Sequence, residues 1–289
     1  MLAYLDTNIF DNLLKKSNGV TDADELGLRA TVTSRQLAIV ASHINLRETI
    51  AALRSRPEIA RAQLSLIVSL ADWDRFIRFS TNVLEDDIRH FAYNGERANT
   101  PFEENRKADR IRLVTQRIID GDLGLKELHG AIEEDRDHKR AFREGSMKAR
   151  AETVIALQEF RKTNEVPSFE QFFEDGAEAH ALAFVKTFGV AVAEECERRG
   201  LDKLLKIPSV RVMVGHGMSL IYRIAVEGKV PKGSDSRDLQ HALCAVAAAD
   251  IFVTHDEELT FLLHRVPIKG FRVLGLHQLL EETTRLRRN

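Results

Sequence analysis

Cysteine is nearly absent from these 289 residues, Cys196 and Cys244 being the only two. Neither falls in a C-x-x-C or Cys/His spacing, which excludes a disulfide scaffold or a zinc site as the organising device. An excess of positive charge is missing too: 42 Lys and Arg face 44 Asp and Glu, for a formal net charge of -2. Bulk basicity therefore cannot hold nucleic acid, and any such contact must come from a local patch. No apolar stretch has the length to span a bilayer, and the run from Met1 to Leu5 is too short for the apolar part of a secretory signal. A cytoplasmic protein with no membrane partner is the expectation. The chain also lacks G-x-x-x-x-G-K-[ST], H-E-x-x-H, G-x-S-x-G and a G-x-G-x-x-G after a strand, which removes the best-known phosphate-loop, zinc-protease, serine-hydrolase and dinucleotide chemistries.

What is present has strand-to-helix grammar. Leu2 to Leu5 is a short apolar run ended by Asp6-Thr7-Asn8, and Ile9 to Leu14 then carries apolar residues at helical spacing. Leu37 to Ala41 is a second such run, followed by Ser42 and a helical stretch containing Glu48. Phe76 to Phe79 reads as a further short strand leading into a helix over Val83 to Phe91. From about Gly95 to Gly228 the sequence becomes charge-rich and helix-favouring, which predicts a helical insertion or cap over 95–228. Strand grammar returns with Ile251 to Thr254, after a helix over Asp238 to Ala249, and with Phe271 to Leu274, before a helix from about His277. Strands alternating with helices predict an α/β fold with a parallel sheet, whose ligands bind beyond the carboxyl ends of the strands.

Acidic residues occupy those ends. Asp6 directly follows the first strand, and Asp256 follows the Ile251 strand. Glu48 lies early in the helix after the second strand, and Asp238 opens the helix that leads into the Ile251 strand. Four carboxylates gathered on one edge repel one another unless a cation neutralises them, and hard oxygen ligands favour Mg²⁺ or Mn²⁺, as one ion or a pair about 3.5 to 4 Å apart. Asp235, three residues before Asp238, is a further candidate ligand if the helix already runs there, or else a first-turn acid complementing the helix dipole.

The residues that carry this pattern, Tyr4-Leu5-Asp6-Thr7-Asn8, Ser42 with Glu48, and Asp238-x-x-His241-Ala242 leading to Val253-Thr254-His255-Asp256, resemble the PIN domain family of nucleases. The resemblance covers residues 1 to 91 and 230 to 282. It implies a three-layer, Rossmann-like parallel sheet in a discontinuous domain, 1–94 and 229–289. It also implies a metal-dependent nuclease, RNA before DNA as substrate, with Asp6, Glu48, Asp238 and Asp256 holding Mg²⁺ or Mn²⁺ for catalysis and Thr7, Asn8 and Thr254 supporting them. A homo-oligomer or a partner protein is compatible with it.

Other features have competing explanations. An Asp after a strand is often a helix N-cap, and a Glu in a helix is often only solvated. His241, one turn beyond Asp238, is a candidate contact for substrate phosphate or an ordinary helix histidine. Residues 136–150 hold six Lys and Arg against two acids, so Lys139, Arg140 and Arg143 are candidate phosphate contacts on what is otherwise a solvated helix face. Two rival functions follow. One is a PIN-like module that binds RNA or protein without cutting it. The other is a phosphatase with Asp6 as nucleophile, which lacks its general acid because Asn8 stands two residues on.

Overall fold

The computed structural model describes residues 1–98, 100–124, 126–128, 130, 133, 140, 144, 167–227 and 235–288. Four short strands, β1 (Leu2–Leu5), β2 (Ala38–Val40), β3 (Ile251–Val253) and β4 (Arg272–Leu274), form one sheet in the order β2-β1-β3-β4. Every pairing is parallel, with Tyr4 level with Val40 on one side and with Phe252 on the other. The α/β class and the parallel sheet expected from sequence are thus present, although most of the described chain is helical.

Side chains along the strands alternate between two cores, as a pleat requires. Ala3, Leu5, Ile39, Ile251 and Val253 enter one buried cluster, while Tyr4, Val40 and Phe252 enter the other. Both faces are therefore covered, which is why β1 and β3 read as continuous apolar runs. The first face is closed by α1 (Thr7–Lys15), α2 (Asp22–Thr33), α4 (Pro57–Leu70) and α6 (Asn105–Ile119). The second is closed by α5 (Ser80–Asn94), α7 (Phe169–Val185), α8 (Val190–Arg199), α10 (Pro208–Tyr222, beyond the single turn α9, Leu201–Leu204), α11 (Asp235–Ala248) and α12 (Glu257–Arg265). Between them α3 (His43–Ala52) follows β2, and α13 (Leu276–Arg288) ends the chain. Most of the described residues in 95–228 are helical, and they contribute to both cores: Ala108 and Ile118 to one, Phe169 and Val210 to the other.

One expected strand does not form. Phe76 to Phe79 makes only isolated bridges, Ile77 pairing with Ser42 and with Phe102. Its aromatic residues are engaged in packing instead: Phe76 stacks on Trp73 at a centroid distance of 5.1 Å, and Phe79 stacks on His43 at 3.9 Å. A short apolar run cannot by itself distinguish these outcomes. Among the described residues, no helix is long and apolar enough to cross a membrane.

The sheet order positions the site. From β1 the chain moves outward to β2, and from β3 it moves outward to β4, so the direction of progress reverses between β1 and β3. A crevice opens beyond the carboxyl ends of adjacent strands at such a reversal. Asp6 leaves β1 there and Thr254 leaves β3. Because α11 runs back against β3, its first turns, with Asp238 and His241, lie at the same edge.

Candidate metal centre

Asp6 occupies the N-cap position of α1 in extended backbone, φ -60° and ψ 151°, yet its side chain makes no capping bond. Its carboxylate turns into the crevice instead. Thr254 Oγ1 and Asn8 Nδ2 each donate to Asp6 Oδ2 at 2.7 Å. Asn8 and Thr254, expected from sequence as supporting residues, thus both hydrogen-bond the Asp6 carboxylate. Asp256 behaves differently: its Oδ1 caps α12 by accepting from the Leu259 amide at 2.9 Å, so one of its oxygens has a structural use.

Glu48 comes to the same place from α3. Its Oε2 lies 2.9 Å from His241 Nε2, and His241 Nε2 lies 3.6 Å from Asp6 Oδ1. Arg237 Nη1 is 3.3 Å from Glu48 Oε1. Thr7 Oγ1 stands 3.3 Å from His241 Nε2 and accepts from Asn45 Nδ2 at 3.4 Å, which ties α1 to α3. Each of Asp6, Glu48 and His241 offers one ligand atom, and these three atoms lie within 4.8 Å of one another. Two bonds of about 2.1 Å on opposite sides of an ion span about 4.2 Å, so with small side-chain shifts this group could hold one divalent cation.

Asp238 and Asp256 stand outside that three-atom group but share its field. Burial, together with the charges of Asp256 and Asp6, pushes the Asp238 carboxyl up to about 7. Burial also raises Asp6, against the opposing charge of His241 and the hydrogen bond from Thr254. Burial alone would raise Glu48, but the His241 charge, its hydrogen bonds and Arg237 outweigh it and hold the carboxyl near 2. Burial would lower His241, yet Glu48 and Asp6 raise it to about 8. A carboxylate surplus of this kind is what a divalent ion relieves. Asp235 is buried and, with Asp238, Arg223, Glu258 and Phe261, lines a small cavity of about 60 Å³ beside the crevice.

Arg140 is an exposed helical residue, and Lys139 and Arg143 lie outside the described residues. His241 is buried with both ring nitrogens engaged, Nδ1 with the Tyr4 hydroxyl at 2.7 Å and Nε2 with Glu48. Sequence reading missed Tyr4, Asn45 and Arg237 as site residues. A polar-tipped aromatic just before Asp6, an Asn three residues after Ser42 and an Arg beside Asp238 were the available signals, each too common in isolation to single out.

Compared with models of known families, with curated proteins and with solved structures, the chain matches none, so the likeness to PIN domains rests on the motifs quoted above.

Proposed function

We propose that this chain is a divalent-metal-dependent nuclease of PIN type, a three-layer α/β fold that hydrolyses phosphodiester bonds, RNA before DNA. One observation carries the reading: carboxylates from positions 6 and 48 are gathered, with His241, at the carboxyl edge of the sheet where its direction reverses. Asp238 and Asp256 add negative charge within electrostatic reach of Asp6 and complete the acidic group. Asp6 and Glu48 would hold the ion, which supplies, when bound, polarisation of a phosphate oxygen and an acidified water. The residues themselves do the positioning: Thr254 and Asn8 fix the Asp6 carboxylate, and Thr7 and Asn45 fix the junction of α1 with α3. With its carboxyl raised to about 7, Asp238 is suited to hold or pass a proton near neutral pH.

The phosphatase alternative draws no support from this geometry, because Asn8 donates to Asp6 and has no proton to give a leaving group. The test is cleavage of labelled single-stranded RNA and DNA with Mn²⁺, with EDTA and by Asp6→Asn. Metal-dependent cutting that disappears in the variant supports the reading. Cutting that survives EDTA or the substitution rejects it, and binding of RNA without any cutting favours a non-catalytic module.

A further inference from the structure

A histidine among carboxylates serves either as a counter-charge or as a metal ligand. The second use requires that its far nitrogen be held as a donor, which leaves the near nitrogen's lone pair for the ion. A relay behind His241 is arranged to favour that state. Asn45 Oδ1 accepts from the Ser42 amide at 3.0 Å, and Asn45 Nδ2 donates to the Leu5 carbonyl at 3.1 Å, so the orientation of this amide group is unambiguous. Ser42 Oγ then donates to Asn45 Oδ1 at 3.2 Å. With its proton given there, Ser42 can accept from the Tyr4 hydroxyl, 2.8 Å away, and Tyr4 can in turn accept from His241 Nδ1–H, 2.7 Å away. Tyr4, Ser42, Asn45 and His241 are all buried, so water does not compete for these bonds. The hydrogen bonds run one way, and Nε2 is left facing Glu48 Oε2 at 2.9 Å and Asp6 Oδ1 at 3.6 Å.

We propose that His241 is a metal ligand through Nε2, completing with Asp6 and Glu48 a set of two carboxylates and one imidazole that selects first-row divalent ions over Mg²⁺. The proposal rests on the metal-dependent reading of the site and departs from an all-oxygen ligand set. Mg²⁺ prefers oxygen ligands and sheds water reluctantly, whereas an imidazole nitrogen strengthens binding along the series from Mn²⁺ to Co²⁺. Tyr4 is then a positioning residue, acting on the ion only through the orientation of the ring.

The experiment uses the full chain. Mn²⁺-loaded wild-type protein examined by pulsed electron paramagnetic resonance should show coupling to one imidazole ¹⁴N, and calorimetry should show Mn²⁺ and Co²⁺ binding at least about tenfold tighter than Mg²⁺. His241→Gln should lose the ¹⁴N signal and weaken Co²⁺ binding about 10- to 100-fold, with Mg²⁺ changed much less; Tyr4→Phe should keep the signal and weaken binding about tenfold. Mn²⁺ bound without nitrogen coupling in the wild type would overturn the ligand role while leaving the nuclease reading intact. Absence of Mn²⁺ binding, or binding undiminished in Asp6→Asn, would overturn both.

Discussion

His241 Nε2 and Glu48 Oε2, 193 residues apart in sequence, lie 2.9 Å from each other at the carboxyl edge of the sheet. The contact joins the helix after β2 to the helix before β3 across the end of β1. Whatever this edge does chemically, its geometry depends on those two helices holding their places over Asp6.

The first prediction concerns pH. Asp238 has a folded value near 7 against an ordinary 3.8, so the folded state holds a proton there that the unfolded chain has released. Stability is therefore lost as pH rises from about 4 to 7, by roughly 4 kcal/mol at ~1.4 kcal/mol per pK step. His241, raised to about 8 from 6.5, acts in the same direction: its contribution is complete below 6.5 and lost as pH rises through 8. Because buried His216, held down to about 4, gains stability as pH rises over part of this range, the effect is read as a difference: between pH 5 and 8 the metal-free wild type should lose melting temperature relative to Asp238→Asn. A difference that stays constant over this range contradicts the assignment.

A second prediction separates the two hydrogen bonds on Asp6. Thr254→Val keeps the side-chain shape but removes the donor to Asp6 Oδ2 and the acceptor for the Asp256 amide. A cost of about 1 to 3 kcal/mol in urea unfolding is expected, with weaker Mn²⁺ binding. Unchanged stability and metal affinity together would mean that this hydroxyl has no part in holding the site.

The relay gives a third. Tyr4→Phe leaves the Ser42 hydroxyl and His241 Nδ1 buried without their shared partner, so a loss of about 1 to 3 kcal/mol follows. Ser42→Ala in the same background should cost less than in the wild type, because its partner is already gone. Full additivity of the two substitutions would show that they do not share a network.

Packing of the helical layer is tested by Gly215 on α10. A Cβ there would overlap the side chain of Val266, at the exit of α12. Gly215→Ala should destabilise by about 1 to 3 kcal/mol despite the better helix propensity of alanine, and Val266→Ala should recover part of that in the double variant. A stabilised Gly215→Ala protein would place α10 farther from α12 than found here.

Much of the sheet was legible because apolar runs such as Leu2 to Leu5 and Ile251 to Val253 sit between residues that cannot continue them. Asp6, Thr254 and Asp256 followed directly, since a parallel sheet fixes which end of each strand shares an edge. His241 was visible as a candidate, but its partners were not, because Tyr4 and Ser42 reach it only through contacts 237 and 38 residues long in sequence. Periodicity carries no information at that range. The run Phe76 to Phe79 misled for a related reason: what those aromatics pack against, Trp73 and His43, decides their backbone, and strand propensity does not. In 95–228 the helical tendency could be read from composition, whereas the face of the sheet that each helix covers could not.

Every functional step proposed above needs one divalent ion shared by the carboxylates at positions 6 and 48. Calorimetric titration of the full chain with Mn²⁺ tests it most directly, alongside Asp6→Asn and Glu48→Gln. Saturable binding by the wild type is expected, and each substitution should weaken it at least about tenfold, a change of ~1.4 kcal/mol or more. Wild-type affinity retained in both variants would contradict it.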